Sequence, residues 1–284
     1  MFGFGRKKLK TSTAQLSLEA DPPRAAPIAS TKISDDDDGE RLLQLILVGL
    51  ADDRGVSTET ALVTLGALAG FSVQMAVRQA LVDTGRLPPG QGLIKIECKN
   101  GDVFYTGDIL NPPLLQTDPA HTSVFRMTAE AAHAIGARTF PDLTEMVRHM
   151  AESYGEDHYG MPRVPAANLP HHAPRDLLRD SWDTVAVYLR MQDQGDPLRW
   201  PYWIGTVIQK LVRQAARTID PLLVTPLVME PALAMSRVDP ATIVGRSQHD
   251  GSRAIDLART DLGKLLQSRV FGDLLEQAIA RERP

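Results

Sequence analysis

The densest run of chemistry-bearing side chains is GEDHYGMPRVPAANLPHHAPRD, residues 155–176, which holds Glu156, Asp157, His158, His171 and His172. Two imidazoles and a carboxylate suffice to hold a catalytic divalent metal with one position left open. Asp157, His158, His171 and His172 are therefore the candidate ligands of a metal-dependent enzyme. Their spacing opposes it. His158 and His171 lie thirteen positions apart, no H-E-x-x-H pattern orients the rings, and adjacent side chains such as His171 and His172 rarely converge on one ion. The spacing favours a polar surface loop with solvated imidazoles.

Other residue types with chemical potential lack partners. Cys98 stands in an apparent strand with no base beside it and suits a core position better than a nucleophile. RWPYWIG brings Trp200, Tyr202 and Trp203 together before a helix, as a core anchor more than a binding platform. His133 and His149 lie beside apolar helical positions and suit structural roles. No phosphate loop, G-x-S-x-G elbow or dinucleotide fingerprint occurs. The sequence names no catalytic set and no cofactor, which weighs against an enzyme.

The stretch TLGALAGFSVQMAVRQAL, residues 64–81, admits three functions. As the turn and second helix of a winged helix-turn-helix it has Gly70 at the turn, Ser72 as cap and a β-hairpin downstream. Over about twenty residues LAGFS resembles the turn of bacterial repressors. That resemblance implies DNA contacts from Gln74, Arg78, Lys95 and Lys99. A recognition helix needs polar reach and cations, whereas Val73 and Val77 occupy outward positions and Arg78 is its one cation. Nucleic acid is thus a disfavoured partner.

As a membrane span, residues 60–77 are 18 consecutive uncharged residues, at the lower limit of length. Thr60, Thr64, Ser72 and Gln74 lower the hydrophobicity, and no aromatic belt or basic cluster flanks the run. The third reading is one buried helix over 57–84. Here Gly66 and Gly70 are contact points for another helix, the apolar helix before it being the expected partner. Two mid-helix glycines each cost about 1 kcal/mol against Ala, so close packing must offset them. This reading explains the missing polar face and is preferred.

The surrounding elements follow from punctuation and period. Residues 1–38, rich in Ala, Pro, Ser and Thr and ending in the acidic run Asp35–Asp38, read as a disordered tail. ERLLQLILVGL is a nearly all-apolar helix. Asn100-Gly101 turns a β-hairpin over about 93–109. A third short strand is expected at TSVFRM, residues 122–127. Helices follow through the remainder, ending in a stripe of Leu262, Leu266, Val270, Leu274 and Ala278. Four Asp-Pro pairs, at Asp118, Asp196, Asp220 and Asp239, suit helix starts. Pro226 and Pro231 call for a kink or two short helices between the last two pairs.

The fold class is α+β and mostly α-helical, with a disordered tail (1–38), a helical unit with the hairpin (39–127) and a second helical unit (128–284). The chain of 284 residues carries a net charge of −4, which gives no general attraction to phosphate backbones. One cysteine fits a reducing compartment, and MFGFGRKKLK has no apolar run behind it as a secretory signal would. The resulting expectation is a cytoplasmic, non-enzymatic interaction or scaffold protein. It self-associates as a homo-oligomer, or binds another protein, through its small-residue helix and apolar first helix.

Overall fold

Ser57 starts the helix around which the others are arranged. The computed structural model describes residues 36–53, 55–87, 92–192 and 196–245, all within the unit Asp36–Pro284. Its α-helices are α1 (Asp36–Leu50), α2 (Thr58–Val77), α3 (Asn111–Leu115), α4 (Val124–Ala134), α5 (Leu143–Glu152), α6 (Pro174–Gln192), α7 (Trp200–Gln214) and α8 (Pro221–Met235). The only strands among the described residues are β1 (Ile94–Glu97) and β2 (Val103–Thr106). The protein is thus mostly α-helical with one hairpin.

Three hydroxyl residues compete for the cap of α2, and Ser57 takes it. Its extended backbone lets the side chain accept from the Thr60 N–H at 3.2 Å. From there α2 runs without a break through Gly66 and Gly70, then passes into a π-helical turn at Arg78–Val82. Seventeen of its 20 residues are buried, as befits a helix hydrophobic on every side. Thr58–Val82 is long and apolar enough to cross a membrane, but here neighbouring helices of the same chain cover its surface.

The partner of the small-residue face is α8, not the expected α1. A Cβ on Gly66 would run into the Val228 carbonyl, and one on Gly70 into the Ala232 carbonyl. Both pairs climb by four residues, so α2 and α8 run in the same direction at backbone contact. Such an approach permits Cα–H···O contacts and buries Leu62, Leu65, Leu68 and Phe71 completely. Full burial of a side chain of this size contributes roughly 1.5–3 kcal/mol. Phe71 meets Trp182 of α6 edge-on at 4.7 Å, and Trp182 meets Trp200 at 6.3 Å. The RWPYWIG tryptophans are core anchors, 2% and 6% exposed for Trp200 and Trp203.

Pro226 and Pro231 do not divide α8 into two helices. Each removes one backbone donor, and eleven of the fifteen residues are buried, so packing holds the element together. Asp220, Asp196 and Asp239 each cap a helix or 3-10 turn through the N–H two residues on. Asp118 instead closes a tight turn to Ala120 and His121.

The hairpin pairs Ile94 with Thr106, Lys95 with Tyr105, Ile96 with Phe104 and Glu97 with Val103. Gly101 supplies the positive φ of its turn, at 88°. A two-stranded hairpin is marginal alone. This one is tied to the chain after α8: Tyr105 N–H donates to the Arg237 carbonyl at 2.7 Å, and Phe104 forms a bridge with Val238.

A further expectation is corrected. TSVFRM is not a strand, because the Ser123 side chain accepts from Arg126 N–H and starts α4 at Val124. Position 127/128 lies inside α4, and one continuous core joins residues from α1 to α8. The 1–38 tail lies outside the described residues up to 35, and its last three residues begin α1. The 262–278 stripe also lies outside them.

Tyr188 of α6 ties α6 to the start of α1 by donating to the Asp38 carbonyl at 2.7 Å. Burial, and then the Asp38 charge, push its phenol up to about 12. A raised folded value favours the neutral phenol. Its contribution is complete below the unfolded value near 10 and is lost as pH rises from there to about 12. Across that window the melting temperature of the Tyr188→Phe variant is expected to fall less steeply than that of the parent protein.

Candidate functional site

Four polar side chains are buried in α2, and three are satisfied. Thr64 Oγ1 donates to the Thr60 carbonyl at 2.8 Å and Ser72 Oγ to the Ala69 carbonyl at 2.7 Å. Thr60 Oγ1 accepts from His171 N–H at 3.1 Å. The fourth, Gln74, is 0% exposed, and neither Nε2 nor Oε1 has a partner. Buried amides without partners are rare, because each unpaired group costs about 1–3 kcal/mol.

Arg78 stands one turn beyond Gln74. Its guanidinium lies over the Tyr105 ring, Cζ 4.2 Å from the centroid, a cation–π arrangement. Nε and Nη2, which share the edge of the guanidinium that forks onto oxyanions, are buried and unpartnered. Among the described residues no carboxylate comes within ion-pair distance of Arg78. Lys95, directly across the hairpin from Tyr105, shares its face. Its ammonium is taken by Glu97 Oε1 at 2.5 Å. The hydrogen bond from Lys95, then its charge, hold the Glu97 carboxyl below its ordinary value. Lys95 is paired; Arg78 is not.

A second buried cation lies behind β2. Arg237 is 2% exposed. It donates from Nη1 to the Leu233 carbonyl (2.7 Å) and Ser236 Oγ (2.6 Å), and from Nη2 to Asn111 Oδ1 (2.9 Å). One carbonyl at the C-terminal end of α8 and two side-chain oxygens thus hold its charge, while its Nε has no partner. Phe104, Tyr154 and Tyr159 pack together nearby, with centroids 4.8–5.4 Å apart. Burial pushes both tyrosines up, against the pull of Arg237. Both are neutral phenols at neutral pH, so neither is a counter-ion.

The structure sorts the other candidates. His158 stacks on His149 at 6.3 Å near the end of α5, whereas the backbone of His171 bonds to Thr60 at the start of α2. Asp157, His158, His171 and His172 are all exposed. Among the described residues no three His, Cys, Asp or Glu side chains are placed to hold a metal ion. The 155–176 loop is instead fastened to α8. Tyr159 donates to the Ala234 carbonyl at 3.0 Å, and Arg163 donates to Glu230 from N (2.6 Å) and Nε (2.8 Å). The loop's own letters could not show this, because the partners are Glu230 and Ala234.

The residues of the DNA-reading set are not arranged as a helix-turn-helix. No turn forms at Gly70, Gln74 is sealed from solvent, and Lys99 sits exposed at the hairpin tip, away from Tyr105. Arg78 and Lys95 both meet Tyr105, the first over its ring and the second across the hairpin. Gly66 and Gly70 are contact points within the chain. They and Leu42, Leu43, Leu45 and Ile46 of α1 are buried in the core, while Val48 of α1 stays exposed. Arg237, Glu230 and Tyr105 were missed by sequence reasoning; the available signals were Glu230 as the one charge within the apolar run of α8 and Arg237 just beyond Ser236 at its end. Compared with family models, curated proteins and solved structures, the chain matches none.

Proposed function

We propose that this chain is a binding protein for a small anion, held edge-on by Arg78 against the hairpin. The observation that carries the reading is the state of that guanidinium: its face rests on Tyr105 while its Nε–Nη2 edge is buried with no acceptor. A charged donor withdrawn from water is costly to leave unpaired, and an anion in the guanidinium plane relieves that cost. The fork matches carboxylate and phosphate geometry. Arg237 behind the strand adds positive potential, and Lys95 stands at the outer face. Arg78 is itself only partly buried, which leaves an approach from solvent. A cation, an amide and an aromatic face are equipment for holding a charge, in keeping with a binding protein.

Calorimetric titration with sodium phosphate in a buffer free of other small anions tests this. Saturable binding is expected, with stabilisation of about 2.7 kcal/mol at a hundredfold excess over Kd. Arg78→Met is expected to abolish binding. Arg78→Lys is expected to weaken it, because an ammonium replaces the fork by a point charge. Lys99→Met is expected to leave it unchanged. Absence of heat and of thermal stabilisation with phosphate, sulfate, acetate and chloride at millimolar concentrations would sink the proposal.

A further inference from the structure

We infer that the anion carries its own O–H group, so that hydrogenphosphate, bicarbonate and α-hydroxycarboxylates fit the site while sulfate, acetate and halides fit it poorly. This rests on the anion reading and deepens it. Gly66, Gly70 and Gln74 of α2 and Arg78, the first residue of the π-helical turn that follows, recur at intervals of four, which places each beside the next along the helix. Gly70 touches Ala232 of α8, so the next step along the row brings Gln74 level with the end of α8 near Ser236. Gln74 and Arg78 therefore stand on one side of the helix, a turn apart, and both carry buried polar atoms without a partner.

The amide sets the selectivity. Whichever way it is turned, it presents one donor group, Nε2, and one acceptor, Oε1. A fully deprotonated oxyanion or a halide accepts from Nε2 and from the Arg78 edge, but it leaves Oε1 facing negative charge. An oxyanion that keeps a proton donates that O–H to Oε1 and accepts from Nε2 and Arg78 with its other oxygens. Every unpartnered atom of the pair is then satisfied. A site built to bond a hydroxyl rejects the analogue without one, because its own acceptor is left buried and unpaired.

The test is a calorimetric panel on the full-length wild-type protein: phosphate, bicarbonate and glycolate against sulfate, acetate and chloride. At least one O–H-bearing anion is expected to bind on the order of tenfold to a hundredfold more tightly than any anion of the second group. The one that binds tightest names the source. Gln74→Met, of similar volume, is expected to collapse that ratio to within about threefold while sulfate affinity stays as it was. The wild-type panel carries the test if this variant does not fold. Equal affinity for phosphate, sulfate and acetate would overturn the inference and leave the anion reading standing. A preference for phosphate that survives Gln74→Met would overturn it too, since the amide would not be its cause. If no anion binds, both readings fall together.

Discussion

Gly70→Val is expected to abolish folding, or to lower stability by more than about 3 kcal/mol, the upper end of what overpacking a core costs. Two effects of opposite sign compete at this position. Replacing a mid-helix glycine gains about 1 kcal/mol of helix propensity for Ala, and somewhat less for Val. Against this, the first carbon added at Gly70 meets the carbonyl oxygen, carbonyl carbon and Cα of Ala232, all of them backbone atoms of α8. Backbone cannot rotate aside as a side chain does. The two helices must part, and Phe71, Leu68 and Ala69 lose their seats with them. Even Gly70→Ala is expected to destabilise, as is Gly66→Ala against Val228. Gly49 in α1 is the control, with nothing within 4 Å of an added Cβ. Gly49→Ala is expected to be neutral or to stabilise by up to about 1 kcal/mol. Urea unfolding of the four variants checks the set; a stabilised Gly70→Ala would mean that α2 and α8 do not meet at backbone distance.

The same glycines show what a sequence can and cannot reveal. Two of them four apart in an uncharged helix say that a backbone comes close, since nothing else offsets their cost. They do not say whose backbone. Val228 and Ala232 lie about 160 positions away, and α8 advertises itself by composition only as another apolar segment. Locally encoded features were legible for local reasons. Asn100-Gly101 turns the hairpin, and Asp196, Asp220 and Asp239 accept from donors two residues on. TSVFRM misled because the strand preference of Thr122, Val124 and Phe125 is outweighed by one side-chain cap at Ser123.

The candidate site was half legible in the same sense. Gln74 and Arg78 stood out as the polar members of an apolar helix, and Lys95 as a cation on the hairpin. Their meaning depended on Tyr105, which reaches Arg78 only because Arg237 and Val238 hold β2 against the end of α8. No spacing rule predicts that a guanidinium will be covered on its face and left free on its edge. The histidine loop failed in the opposite direction. Its ligand types were suitable, but its geometry is set by Tyr159 and Arg163, which fasten it to α8 and leave the imidazoles outside.

That fastening is asymmetric, and Arg163→Met is therefore expected to cost more than Glu230→Gln. Glu230 is 6% exposed and is the one charged residue of its helix, whereas the Arg163 side chain is 39% exposed. Arg163 also reaches Glu145 at 3.1 Å, and Glu145 in turn is bonded to Arg148, which bonds to Glu152. The Arg148 hydrogen bond, then that of Arg163, hold the Glu145 carboxyl below its ordinary value, so it remains an anion for Arg163 to lean on. Glu230→Gln keeps an oxygen to accept from the Arg163 N–H, and the freed guanidinium returns to water and to Glu145. A loss of about 1–2 kcal/mol is expected. Arg163→Met instead leaves a carboxylate inside the core with only a backbone donor, a change of the kind that costs about 3–5 kcal/mol. Adding Glu230→Leu to Arg163→Met removes the stranded charge, so the double variant is expected to be more stable than Arg163→Met alone. Urea unfolding of the single and double variants decides the matter. Equal losses from Arg163→Met and Glu230→Gln would place the anchor of the loop elsewhere, in Tyr159 and its bond to the Ala234 carbonyl.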